Sequence, residues 1–212
     1  LSKYQLYDFI EFKMEDGIIY HGNITHIKEK NGKFFYDVKS VFDNLNGIIE
    51  DVWEENIIRK YIETVLCYLE RDNKYLMLLR NKRQNDINLG KWIGVGGHVE
   101  YNEEADDAMV REVLEETGVT ILDYDKRGIV YFIDNDYTMV MHVYTSNSFS
   151  GFIHPCDEGT LSWISKDKIF DLNLWEGDKV FLKELMNNNP YFEIELYYDN
   201  NEYKGSKKLW HI

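Results

Sequence analysis

Positive charge is scarce in this 212-residue chain: 24 Lys and Arg stand against 38 Asp and Glu, a formal charge of −14. Duplex binding needs clustered basic side chains to displace counterions, so the shortage disfavours a nucleic-acid grip. An anionic substrate would need a cation as intermediary. Cysteine is also sparse: Cys67 and Cys156 lie far apart and outside any C-x-x-C spacing. They read as reduced thiols of a cytoplasmic protein, with Cys67 in "TVLCYL" a core residue. No apolar run approaches twenty residues and no basic-then-apolar stretch opens the chain, so neither a membrane span nor a secretory signal is indicated. Internal repeats, low-complexity tracts and a Pro/Gly/Ser-rich linker are missing as well.

What is present divides near residue 60. Residues 1–60 read as strands only: "LYDFIEFKM", "IIYHGNITHIK", "KFFYDVKSVF", "GIIEDVW" and "NIIRK", separated by the turns "EDG" and "KNG". Period-two alternation with Gly-bearing turns predicts a small all-β, barrel-like domain of about five strands. Residues 61–212 change to mixed α/β. Strands are predicted at "ETVLCYLE", "KYLMLLR", "KRGIVYFI", "YTMVMHVYTS", "GTLSWIS" and "YFEIELYYD", and helices at about 103–117 and 177–187.

The first of these helices carries the chemistry. "GGHVEYNEEADDAMVREVLEETGV", residues 96–119, holds eight Asp or Glu. Asn102 is suited to be the N-cap, Glu103 and Glu104 to the positive end of the dipole, and Gly118 to the C-terminal stop. At 100° per residue, Glu112, Glu115 and Glu116 fall within an arc of about 100°. Met109, Val110, Val113 and Leu114 cover the neighbouring apolar arc. Like charges three and four residues apart oppose the helix, and only Arg111 offers local positive charge. A hard divalent cation wants such carboxylates: magnesium binds through a few of them and takes further ligands from substrate phosphates. Upstream, "GKWIGVGGHVE" supplies Gly94, Gly96 and Gly97 for close backbone approach to a ligand, though it matches neither a dinucleotide fingerprint nor a Walker-type loop.

Gly97, five residues, Glu103, seven residues, then Arg111-Glu112-Val113-x-Glu115-Glu116-x-Gly118-Val119 resembles the signature of the Nudix hydrolases at every specified position. The resemblance implies an α/β/α sandwich with a mixed sheet and a divalent ion held by the signature helix. It also implies hydrolysis of a nucleoside diphosphate linked to another group. Carried onto this chain, Glu112, Glu115 and Glu116 with the Gly97 carbonyl would bind Mg²⁺, or Mn²⁺ in its place. Arg111 would orient those carboxylates and Glu103 would tie loop to helix. Two residues compete as general base, Glu116 and Glu158 in "CDEGTLSWI"; Glu158 is also a metal-ligand candidate. Arg80 and Lys91 could face the phosphates, while Lys82 and Arg83 read as solvated loop charges.

Resemblance to the MutT-like enzymes that remove oxidised purine nucleoside triphosphates extends over roughly residues 62–199. It implies nucleotide-pool sanitation, a form of DNA repair, with 8-oxo-dGTP cleaved to monophosphate and pyrophosphate. Trp175 offers a stacking plane and Asp178 a hydrogen-bonding carboxylate for a purine edge. Ile93 and His98 depart from that pattern, so base reading cannot be copied over whole. Asn85, Asp86 and Asn88 suit either polar contacts to the base or ordinary loop chemistry. Other Nudix substrates, such as a sugar nucleotide or a diadenosine polyphosphate, stay open. The first sixty residues resemble small Tudor-like barrels, which implies a peptide or nucleic-acid module presenting Tyr20, Phe34, Tyr36, Phe42 and Trp53. Their plainer role is a core that packs on the hydrolase domain or supports a homodimer.

Overall fold

Period-two alternation builds most of the molecule. The computed structural model describes residues 2–40 and 47–209, and the chain folds as two units, Leu1–Ile62 with Asp134–Met139, and Glu63–Ile133 with Val140–Ile212. In the first unit β1 (Phe9–Lys13), β2 (Ile19–Lys30), β3 (Lys33–Ser40) and β4 (Ile48–Trp53) form an antiparallel meander. The start of β5 (Ile57–Arg71) pairs with β1. Ile10 and Phe12, Tyr36 and Val38 alternate inward to join Ile24 and Val52 in the core. Asn31 at φ 54° and Gly32 at φ 76° form the two-residue left-handed turn that right-twisted hairpins favour. At Gly22 a Cβ would lie 2.3 Å from the Lys39 carbonyl oxygen, so β2 and β3 can pair there only without a side chain. Arg59 Nη1 donates to the carbonyls of Asp134 and Tyr137 at 2.9 and 3.0 Å, which holds the 134–139 segment in this unit.

Of the aromatics singled out in this unit, Tyr36 is fully buried, and Tyr20 and Phe34 pack partly buried on the core. Trp53 is 37% exposed and lies 5.0 Å from Phe35, centroid to centroid. Phe42 lies outside the described residues.

The second unit sorts its apolar residues onto two faces. Along β5, Val65, Cys67 and Leu69 join one cluster while Leu66 and Tyr68 join the other; along β6 (Lys74–Arg80), Leu76 opposes Tyr75 and Met77 in the same way. Helix α1 (Ala105–Thr117) buries Ala108, Met109 and Val113 on the first face, and α2 (Asp178–Met186) buries Phe181, Leu182 and Leu185 on the second. One strand layer with a helix on either side is the α/β/α arrangement. The remaining strands are β7 (Trp92–Ile93), β8 (Thr120–Ile133), β9 (Tyr137–Ser150), β10 (Gly159–Ser165), β11 (Phe192–Asp199) and β12 (Glu202–Leu209). β11 runs parallel to β8 and antiparallel to β12, so the sheet is mixed.

Three sequence expectations are corrected. Asn102 is not the N-cap: it sits at φ 64° in a left-handed turn, and the helix begins after Glu104, whose extended φ of −81° and ψ of 147° make it the cap. Glu103 and Glu104 therefore precede the helix. Leu114, assigned to the apolar arc, is 47% exposed. The pieces "NIIRK" and "ETVLCYLE" are one continuous strand, β5. Gly118 does end α1, at φ 77°, with its N–H donating to Leu114 O.

Phe181, fully buried and 6.4 Å from the Tyr68 ring, anchors α2. Phe181→Ala should destabilise the protein by about 3–5 kcal/mol. Urea unfolding checks this, and a change near zero would mean that α2 is not held through this face.

Candidate active site

The glycine loop is laced to β5 before any side chain is considered. Val65 N–H donates to Gly97 O at 2.9 Å, Cys67 and Val95 exchange bonds of 2.7 and 3.0 Å, and Val99 N–H reaches Glu63 O at 3.0 Å. A Cβ on Gly96 would lie 2.0 Å from Val65 O, and one on Gly97 would lie 2.5 Å from the Glu112 carboxyl carbon. Two glycines thus let the loop run between β5 and the helix, with the Glu112 carboxylate directly against Gly97. The Gly97 carbonyl, though bonded to Val65, keeps its second lone pair.

Arg111 answers the repulsion along α1. Its Nε and Nη2 make a two-pronged bond to Glu103, both at 2.8 Å; Nη1 reaches Glu112 at 2.8 Å and Glu115 at 3.4 Å; Nη2 also donates to His98 O at 3.0 Å. Hydrogen bonding to Glu103 raises the guanidinium pKa further, opposed by partial burial, and holds Glu103 below the usual carboxylate range. The Glu100 N–H closes the turn on Glu103 at 3.0 Å.

Glu116 is different: only 7% exposed, it accepts the Gly96 N–H at 3.1 Å and lies 3.9 Å from Arg80 Nη1. Burial pushes its pKa up to about 7, with Glu112 adding to the rise and the Gly96 N–H and Arg80 opposing it. Arg80, at the end of β6, is turned inward among acids rather than displayed. Its Nε meets Asp86 at 2.6 Å and its Nη1 bonds Glu158. Arg83 reaches the other Glu158 oxygen at 2.7 Å and Lys82 the Cys156 carbonyl at 2.5 Å, so the two loop charges have defined partners. Lys91 points elsewhere. Its Nζ contacts Asn173 Oδ1 at 3.0 Å and Leu174 O at 3.1 Å, and lies 4.8 Å from the centre of the Trp175 ring.

Trp175 Nε1 donates to Asn88 Oδ1 at 2.8 Å and its ring meets Tyr198 edge-on at 6.5 Å. Asp178, 8% exposed in the first turn of α2, has its pKa pushed up to about 7 by burial, with Lys91 opposing. Asp86, left open between a polar contact to the base and ordinary loop chemistry, holds Arg80, and Asn173, not singled out in the sequence, receives Lys91; their partners lie six and eighty-two positions away, where no periodicity points.

Glu112 and Glu115 are gathered by Arg111, and Glu116 and Glu158 by Arg80. Among the described residues no three acidic, thiol or imidazole groups already converge as a cation cage. The donor chemistry nonetheless fits a hard divalent ion: the groups are oxygen donors, and the Glu112 carboxylate rests on Gly97, with the buried Glu116 on the neighbouring Gly96 N–H and Arg80 no nearer to it than 3.9 Å.

Among known proteins, the NUDIX domain model matches residues 60–185, more than half of the chain. An uncharacterised Nudix hydrolase of Bacillus subtilis, YvcI, is 31% identical over 133 residues, 59% of this chain and 80% of that protein. An oxidised purine nucleoside triphosphate hydrolase of Danio rerio is 31% identical over 103 residues, 48% of this chain and 66% of that protein. The crystal structure of a MutT protein from Bacillus halodurans superposes with a TM-score of 0.63 at 22% identity, covering 69% of this chain and 97% of that one, which is a likeness of fold. The strand layer between two helices, the glycine loop against a carboxylate-bearing α1 and the match over residues 60–185 agree: this chain belongs to the Nudix hydrolase family.

Proposed function

We propose that this chain is a Mg²⁺-dependent nucleoside triphosphate pyrophosphohydrolase acting on an oxidised purine nucleotide, 8-oxo-dGTP first among them, to give monophosphate and pyrophosphate. The observation that carries the reading is the pairing of two chemistries around one glycine loop. Glu112 lies against Gly97 and Glu116 accepts the Gly96 N–H, while on the other side of the short strand β7 Lys91 lies 4.8 Å from the Trp175 ring, which is followed by the buried Asp178.

Glu112, Glu115, Glu116 and the Gly97 carbonyl would hold the ion, with Glu158 as a further ligand; Mn²⁺ would serve in the same donors. When bound, a divalent cation neutralises polyphosphate charge and acidifies water. Either Glu116 or Glu158 would take the proton from the attacking water. Arg111 orients, since its nitrogens are engaged by Glu103, Glu112, Glu115 and His98 O. Arg80 would position the Glu158 carboxylate it holds, and Lys91 would fix the Trp175 ring. Trp175 stacks on the base. Asp178, whose carboxyl takes up a proton as pH falls through about 7, can in that form both donate to and accept from a purine edge. For residues 1–60 we retain a homodimer-supporting role, consistent with the exposed Ile18, Ile19 and Ile48.

Chelation should abolish turnover and added Mg²⁺ restore it, and Glu116→Gln should lower kcat by about 10²–10⁴-fold. With phosphate, pyrophosphate and monophosphate read separately, 8-oxo-dGTP should be preferred to dGTP. Equal rates across unrelated dinucleotides would remove the reading. Trp175→Ala should raise KM roughly fivefold or more if a base stacks there.

Asp178 also predicts a pH dependence of stability. The folded protein binds this proton more tightly than the unfolded chain, so the stabilising contribution is complete below about pH 4 and is lost as pH rises through about 7. Asp178→Asn cannot ionise and should remove that slope, which amounts to at most on the order of 3–4 kcal/mol. Thermal unfolding between pH 4 and 9 checks it, and parallel curves for the two proteins would refute the assignment.

A further inference from the structure

The loop between β6 and β7 connects two parts of the site that are distant in sequence. Asp86 accepts Arg80 Nε on one oxygen at 2.6 Å and the Asn88 N–H on the other at 2.9 Å. Asn88 in turn accepts the Trp175 indole N–H at 2.8 Å. At the near end, Arg80 carries Glu158 and lies 3.9 Å from Glu116. The loop is closed by its own backbone: Gly90 N–H to Arg80 O at 2.7 Å, Arg80 N–H to Lys91 O at 2.9 Å, and Lys91 N–H to Asn88 O at 2.8 Å. Asn173 Nδ2 donates to Gly90 O at 2.9 Å and Trp92 N–H to Asn173 O at 3.1 Å, which seats the Trp175 segment on the same loop.

We propose that Asp86 and Asn88 are positioning residues that tie the Trp175 indole to the Arg80–Glu158 ion pair, so that the nucleobase end and the carboxylate end of the site are set together. Asp86 and Arg80 are both nearly shielded, with side chains 8% and 10% exposed. A charge-assisted bond there is strong, and its loss leaves a guanidinium largely out of water. Asp86 has no bond to Trp175 among the described contacts, and Asn88 is the link between them. Substrate selection would then appear in kcat as well as in KM, because a displaced base moves the groups that hold Glu158. This consequence rests on the nucleotide reading above; the network itself does not.

Two measurements separate them. In ¹⁵N-labelled protein, with the Trp175 indole peak assigned by its loss in Trp175→Phe, Asn88→Leu should speed indole N–H exchange roughly tenfold. Asn88→Asp, which keeps an acceptor, should leave exchange slow. Asp86→Asn should also speed exchange, although among the described hydrogen bonds Asp86 makes none to the indole; exchange unchanged in Asp86→Asn would overturn the coupling. With 8-oxo-dGTP, dGTP and Mg²⁺, Asn88→Leu and Asp86→Asn should lower kcat for the oxidised nucleotide and narrow the selectivity, with Asn88→Asp restoring both. A change confined to KM would reduce Asn88 to a local support of the ring and overturn the proposal. Should Asp86→Asn not fold, the two Asn88 variants decide in the same way, the acceptor-keeping one matching wild type and the other losing both slow exchange and kcat. Should the wild type turn over neither nucleotide, the substrate reading fails and the exchange rates still decide the network.

Discussion

Everything in the candidate site depends on how a densely acidic helix is kept folded. The first turn of α1 carries Asp106 and Asp107, where the dipole favours them, but the last turn has no basic residue and Glu112, Glu115 and Glu116 crowd the C-terminal half. Each like-charge pair at that spacing costs a few tenths of a kcal/mol. Arg111 counters this from within the helix by bonding Glu103, Glu112, Glu115 and the His98 carbonyl, and so fixes the loop before α1 as well as the helix. Glu116 is left to a single backbone N–H and a distant Arg80, in a buried setting that resists its charge. On the proposed reading, a carboxylate kept under those conditions is there to accept an added cation, at a cost to the protein's own stability.

Local grammar in the sequence was enough to locate the elements that carry the site. "KYLMLLR" and "GTLSWIS" are β6 and β10 to the residue, because alternation and flanking turns are local properties. Gly118 was legible for the same reason: a left-handed helix stop asks for glycine wherever it falls. Asn102 misled because asparagine suits a cap and a left-handed turn equally, and here it takes the turn. β12 was missed altogether. Its "EYKGSKKL" has no apolar alternation, since an edge strand with exposed lysines needs only backbone pairing with β11 and is protected by that charge.

The side-chain partnerships that give the site its electrostatics were not legible. Arg80 and Glu158 are 78 positions apart, Lys91 and Asn173 are 82. Arg80 was expected to face phosphates because of where its strand ends, and its position in the strand is as read. What the sequence could not convey is that Asp86 and Glu158 would turn the guanidinium inward. Only the packing of the β6–β7 loop against the segment before β10 settles that direction.

The same accounting explains why an anionic chain would use a metal rather than its own cations on an anionic substrate. Arg111 is engaged along α1, Arg80 between Asp86 and Glu158, and Lys91 on Asn173, Leu174 and the Trp175 face. Lys82 and Arg83, the remaining basic residues of that loop, close on Cys156 and Glu158. Each of these cations already positions a piece of protein. Recruiting Arg80, Arg83 or Arg111 to phosphate would release an acid it holds, and recruiting Lys91 would release Asn173 and the Trp175 face, whereas a divalent ion adds positive charge without drawing on these cations. On the proposed reading, the deficit of basic residues and the carboxylate stripe of α1 are therefore two sides of one arrangement: protein cations shape the site, and an exchangeable ion meets the substrate.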